Sequence, residues 1–123
     1  MTIRELIVDA YDCDTDLNDA CALESAGKAA VASVGAEVAD KVSCLFQPHG
    51  LTICLVLKES HFIISTWPEY RLAIVNIFLC NAAMDPKACW EHFAKTLSPS
   101  EVVVHEVKHD LILNENKQKK RGA

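Results

Sequence analysis

Apolar residues recur along this chain with two periods, and the switches between them mark out the elements. Six stretches are dense in Val, Ile, Leu and Phe: residues 3–11 (IRELIVDAY), 37–46, 51–57 (LTICLVL), 61–67, 71–79 (RLAIVNIFL) and 101–108 (EVVVHEVK). Branched and aromatic side chains suit a pleated, half-buried surface, so each stretch predicts a strand. Between the first two lies TDLNDACALESAGKAAVASVG, residues 15–35, in which Ala20, Leu23, Gly27, Ala30, Val31 and Val34 fall on one helical face. Asp14 or Thr15 is placed to cap this helix and Gly35 to end it. A second helix is predicted over 86–97. Asp85 caps it, Pro86 stands in the first turn where a missing N–H costs nothing, and Cys89, Trp90, Phe93 and Leu97 form its stripe.

The predicted order is β-α-β-β-β-β-α-β. Two helices cannot cover both faces of such a sheet. The economical architecture is therefore an α+β two-layer sandwich, a mainly antiparallel sheet with both helices on one face, whose other face is left bare and wants a partner. One domain is expected over residues 1–112. A polar, basic tail over residues 113–123, ending NENKQKKRGA, is expected to be disordered.

Composition narrows the partners. With 123 residues, half of them hydrophobic, the chain can bury a core without disulfides or metal. Its formal net charge is −5 and it has no basic stripe before the tail, so neither nucleic acid nor an anionic membrane is expected as a main partner. No apolar run is long enough to span a bilayer. The start, MTIRELIVDAYD, has acids where a signal peptide is apolar, and a cytoplasmic location is expected. Six cysteines are present without a CxxC. Cys44, Cys54 and Cys80 lie in apolar runs, so they are expected to be small buried hydrophobes in a reducing compartment. The five histidines are scattered and His105/His109 alone is a weak pair, so no metal site is expected.

The stretch LKESHFIISTWPEY, residues 57–70, does not fit a strand that only fills a core. It opens on an acid, a hydroxyl and an imidazole in succession, and closes on Thr66-Trp67-Pro68-Glu69-Tyr70. This pattern resembles the self-processing segment of the small prokaryotic S-adenosylmethionine decarboxylases, ESHxxIHTWPE. The likeness extends to Tyr11-Asp12-Cys13-Asp14, to Phe46-x-Pro48-His49-Gly50, and to Phe78-Leu79-Cys80 ahead of the Asp85-Pro86 helix start. The four motifs agree in order and spacing over nearly the whole chain.

The resemblance implies that the Glu59–Ser60 bond breaks autocatalytically. The Ser60 hydroxyl attacks the preceding carbonyl to give an ester, and elimination and hydrolysis leave a pyruvoyl group on the larger fragment. An amide is a poor electrophile, so backbone strain and donors aimed at the oxyanion must help. The pyruvoyl ketone forms a Schiff base with the substrate's α-amine and takes up the electrons left when carbon dioxide departs, so no external cofactor is needed. By the same resemblance Cys80 is the acid that reprotonates the α-carbon, Phe46 stacks on adenine, and Glu69 accepts hydrogen bonds from the ribose diol. Tyr11 and Asp12 correspond to a second aromatic and an acidic residue beside the substrate. Read without the resemblance, Cys80 and Phe46 are core residues and Glu69 is an exposed charge.

Three positions depart from the family pattern. Ser65 stands where the family has the histidine that removes the α-proton, Thr52 where it has a serine that helps the acyl shift, and Asn81 where a glycine follows the cysteine. Serine is no base near neutral pH. Three readings therefore stand: an S-adenosylmethionine decarboxylase supplying the aminopropyl donor for spermidine, a relative acting on ornithine or arginine, and an unprocessed binding or regulatory homologue. The family also implies a homodimer with residues of both protomers in each site. Strand alternation agrees, since Ser60, Phe62 and Ile64 point one way and His61, Ile63 and Ser65 the other.

Overall fold

Period-2 burial is the first thing the computed structural model shows, and it describes residues 1–113. In β3 (Leu51–Leu57) the residues Leu51, Ile53, Leu55 and Leu57 are buried. In β4 (Ser60–Trp67) they are Phe62, Ile64 and Thr66, and in β5 (Leu72–Leu79) Ala73, Val75, Ile77 and Leu79. Their alternates, among them Thr52, Cys54, His61, Ile63, Ser65, Asn76 and Phe78, emerge on the opposite face. With β1 (Thr2–Tyr11), β2 (Val38–Leu45) and β6 (Glu101–Asp110) they form one six-stranded sheet, ordered β2-β3-β4-β5-β1-β6, with every neighbour antiparallel. The six expected strands are all present, with ends moved by a residue or two.

Both helices lie on the buried side. The first, α1 (Ala20–Ser33), sits over β2 and β3, and the second, α2 (Pro86–Leu97), over β1 and β5. This is the expected two-layer sandwich. Phe62 of β4 meets Phe93 of α2 edge-on, with ring centroids 5.0 Å apart, at the seam between the helices. Burying such a ring stabilises the fold by roughly 1.5–3 kcal/mol. Gly27 lets α1 come close to the sheet, since a Cβ there would stand 3.1 Å from both Leu55 Cδ1 and Phe62 Cε1.

The second helix has the expected bounds and cap: Asp85 Oδ1 accepts from the Lys87 N–H at 2.9 Å. The first begins later than expected and is capped neither by Asp14 nor by Thr15. Asp19 caps it, accepting from the Ala22 N–H at 3.0 Å. Residues 14–19 are instead held as a loop by tertiary bonds. The Thr66 hydroxyl donates to the Leu17 carbonyl at 2.9 Å, and the Gly50 N–H donates to Asn18 Oδ1 at 2.8 Å. Tertiary partners have overridden local helix signals.

The cysteine expectation is also corrected. Cys44 is exposed, and Cys54 and Cys80 are only partly buried, whereas Cys13 and Cys89 are the buried thiols. Cys44 and Cys54 point to the helix-free face, and β2, which carries Cys44, is an edge strand. Among the described residues no group of His, Cys, Asp or Glu could hold a metal ion, and no helix is long and apolar enough to cross a membrane. The tail beyond residue 113 lies outside the described residues.

Candidate active site

The turn between β3 and β4 is two residues long, Lys58 and Glu59, because Leu57 pairs directly with Ser60. Glu59 has φ 59°, left-handed backbone that costs a residue with a Cβ about 1–2 kcal/mol. This strained residue supplies the carbonyl of the Glu59–Ser60 bond. The Ser60 hydroxyl folds back over the turn and donates to the Lys58 carbonyl at 3.1 Å. On the neighbouring strand β5 ends at Leu79, so Cys80 emerges beside the same turn. Glu59, Ser60 and Cys80, with Glu37, Asn81 and Met84, line a cavity of about 520 Å³. Glu37, from the α1–β2 loop, and Met84, from the β5–α2 loop, carry no motif of their own, and only the fold brings them here.

Asn81 takes a turn that does not need glycine. Its φ is not positive; its side chain accepts from the Ala83 N–H at 2.9 Å, and its carbonyl from the Met84 N–H at 2.9 Å. An asparagine makes such a turn with its own amide.

The remaining candidates gather at the other end of the sheet. Thr52 and Ser65 are directly paired across β3 and β4 and their hydroxyl oxygens are 3.0 Å apart. Cys44, not foreseen, stands directly across from Thr52 on the same face. Phe46, half exposed rather than core, leads the β2–β3 loop, and Glu69 lies in the short 3-10 turn Pro68–Tyr70 after β4. His49 Nε2 contacts Glu69 Oε2. Tyr11 ends β1 with its ring partly exposed, and Asp12, itself at φ 51°, accepts from the Ser100 hydroxyl at 2.9 Å.

The candidates therefore fall into two groups on one protomer. Ser65 is five residues along the strand from Ser60, about 16 Å at the usual rise. The structure brings Glu59, Ser60 and Cys80 together at one end and Phe46, Thr52, Ser65, Glu69, Tyr11 and Asp12 at the other. It does not bring the two sets together within one chain.

The helix-free face between them is polar in the middle. Asn76 Nδ2 donates to Glu5 Oε2 at 2.8 Å, His61 Nε2 lies 2.7 Å from Asn76 Oδ1, and His109 Nε2 lies 3.1 Å from Glu5 Oε1. The bond from Asn76 lowers the pKa of the Glu5 carboxyl; partial burial opposes this and His109 adds to it. His61 also stacks on Phe78, with centroids 5.4 Å apart. Among the described residues no buried side-chain N or O lacks a partner.

The site thus sits on an α+β two-layer sandwich, with left-handed Glu59 next to Ser60 and both lining one cavity with Cys80. Comparison with known proteins gives the family: the S-adenosylmethionine decarboxylase family profile matches residues 4–110, and the chain belongs to that family. It is 35% identical over 108 residues to the S-adenosylmethionine decarboxylase proenzyme of Thermotoga petrophila, covering 87% of this chain and 82% of that one. To the proenzyme of Caldicellulosiruptor saccharolyticus it is 33% identical over 109 residues, 88% of each chain. The crystal structure of the adenosylmethionine decarboxylase from Aquifex aeolicus VF5 matches with a TM-score of 0.81 at 24% identity, covering 92% of this chain and 94% of that one, which shows the shared fold.

Proposed function

We propose that this chain cleaves itself at Glu59–Ser60 and then decarboxylates S-adenosylmethionine as a homodimer, each active site drawing on both protomers. The observation that carries this reading is the left-handed Glu59 with the Ser60 hydroxyl and Cys80 on one cavity wall. Ser60 supplies the attacking oxygen, which leaves with the Glu59 carboxylate, and the remainder of Ser60 becomes the pyruvoyl group at the N-terminus of the larger fragment. The residues present fit that group: residue 60 opens into a cavity with room for a substrate, and a thiol lies at hand. A pyruvoyl group there supplies a ketone that captures the substrate's α-amine and accepts the electrons released with carbon dioxide. Cys80 holds the proton that the α-carbon receives, a role open to a thiol because it can give up a proton and regain it. Phe46 offers a π-face to adenine, and Glu69 two acceptor oxygens to the ribose diol. Tyr11 and Asp12 border the same end.

The separation of the two groups of candidates supports the homodimer. A twofold axis that lies between two helix-free faces and perpendicular to the strands turns the second protomer end for end, so its Thr52–Ser65 end can meet the first protomer's Ser60. One observation favours an alternative. The Thr52 hydroxyl pairs with another hydroxyl, Ser65, and not with an imidazole, which favours an unprocessed homologue.

Intact-mass analysis decides between them. The proposal expects two fragments, the larger blocked at its N-terminus, and release of carbon dioxide from carboxyl-labelled S-adenosylmethionine. A single uncleaved mass, stable for days and in hydroxylamine, overturns it. Ser60→Ala abolishes cleavage, and Ser65→His accelerates it if the absent base limits the rate. Mixing Ser60→Ala with Thr52→Val chains restores activity only if sites are shared.

A further inference from the structure

The β2–β3 loop is fixed from both sides. The Phe46 N–H donates to the Gly50 carbonyl at 2.8 Å, closing the loop on itself, and the Gly50 N–H donates to Asn18 Oδ1 at 2.8 Å. Gly50 has φ +96°, and a Cβ on it would stand 3.0 Å from the Thr66 carbonyl oxygen, so the loop lies directly on the end of β4. His49 is carried by this loop, next to Gly50, and its Nε2 reaches Glu69 Oε2. Glu69 has no comparable fixture of its own. It sits on the exposed side of a single 3-10 turn, and among the described residues no other side chain bonds to its carboxylate. A glutamate there has three rotatable bonds and loses their freedom when it binds a ligand.

We infer that His49 is a positioning residue for Glu69, holding one carboxylate oxygen so that the other faces the vicinal diol of the substrate's ribose. A carboxylate has acceptor sites to spare on both oxygens, so the imidazole and a diol can be held together. Phe46 and His49 belong to one loop, so the same contact also ties the adenine-facing ring to the ribose-facing carboxylate. The β2–β3 loop and the Pro68–Tyr70 turn thereby act as one nucleoside grip, and ordering before binding lowers the cost of binding. This inference rests on the ribose role proposed for Glu69.

The test is steady-state kinetics on the cleaved enzyme with S-adenosylmethionine, comparing wild type with His49→Ala, His49→Gln, Glu69→Gln and the His49→Ala/Glu69→Gln pair. His49→Ala should raise KM about three- to fivefold, the range of a partly exposed hydrogen-bonded pair, with kcat changed less than about twofold. His49→Gln, which keeps a donor, should recover most of the loss. In the Glu69→Gln background His49→Ala should add nothing. If Glu69→Gln raises KM and His49→Ala does not, or if both add fully in the pair, the positioning role is overturned while the ribose reading stands. If Glu69→Gln leaves KM unchanged, the ribose reading fails and takes this inference with it. Should His49→Ala not fold, His49→Gln against His49→Leu decides the point by the same KM comparison.

Discussion

Replacing Glu59 by glycine separates the strain in the turn proposed to cleave from the charge of its side chain. Glu59 has φ 59°, where the Cβ of an L-residue costs about 1–2 kcal/mol and glycine costs nothing. If cleavage releases that strain in its rate-limiting step, removing it beforehand slows the reaction by up to about 5- to 30-fold, at 1.36 kcal/mol per factor of ten. Glu59→Gln keeps the φ and removes the charge, so it should cleave at nearly the wild-type rate. The assay is appearance of the two fragments from freshly translated precursor, followed by mass. The strain is measured separately where cleavage is blocked: Ser60→Ala/Glu59→Gly should melt several degrees above Ser60→Ala, since about 1 kcal/mol moves Tm by roughly 3–6 °C in a domain of this size. A Glu59→Gly precursor that cleaves as fast as wild type, together with a raised melting point in the blocked pair, would refute the idea that the turn's strain drives the reaction. An unraised melting point would refute the strain itself.

Gly50→Ala should cost about 2–3 kcal/mol, from the φ of +96° and the close Thr66 carbonyl, and should raise KM by displacing Phe46 and His49; urea unfolding and kinetics check both. Asn76→Ala removes the bond that does most to lower the pKa of Glu5, so it should destabilise the protein at neutral pH. A lowered folded pKa gives stability that is present above the unfolded value, about 4.3, and is lost as pH falls through the folded value. The gap between wild type and Asn76→Ala should therefore narrow in acid melts below about pH 4; a gap independent of pH would show that Glu5 is not the group involved. Burial pushes the Cys89 thiol up to about 12 and raises that of Cys13, while Cys21 is exposed. Brief alkylation at pH 8 should label Cys21 and spare Cys13 and Cys89 until the protein is unfolded, as peptide mass mapping can show.

The strands and α2 were legible because local signals and tertiary packing agree there. Asp85-Pro86 caps a helix whose stripe of Cys89, Trp90, Phe93 and Leu97 is the face it buries. They disagree before α1. Thr15 and Asp14 are good caps in isolation, but the Thr66 hydroxyl and the Gly50 N–H, far away in sequence, claim Leu17 and Asn18, and only Asp19 is left to cap. The cysteines misled for a similar reason. An apolar run shows that a residue is in a strand but not which face it takes, and a sheet covered on one side halves the core. Register decides it: Cys44 stands across from Thr52, and Thr52 from Ser65, so all three point away from the helices.

The same register explains why the site candidates could be named from the sequence yet not assembled. Short motifs bring neighbours together, and Glu59-Ser60 with Cys80 meet because β4 and β5 are adjacent and antiparallel, with one strand's start beside the other's end. That geometry also carries Glu69, nine residues past Ser60 in the sequence, to the far end of the sheet. On the proposed roles, a single protomer thus holds the reacting groups at one end of the sheet and the nucleoside grip at the other. The polar line of His61, Asn76, Glu5 and His109 crosses the face between them, each member already satisfied by its neighbour. Such a face can be covered without stranding these groups unbonded, a condition for a second copy to close over it. Whether Thr52 and Ser65 then suffice for processing turns on proton removal, since two hydroxyls 3.0 Å apart can relay a proton but neither can keep it at neutral pH. Ser65→His is accordingly the most informative single change. A faster cleavage identifies the α-proton step as the slow one, and an unchanged rate means that another group already takes that proton.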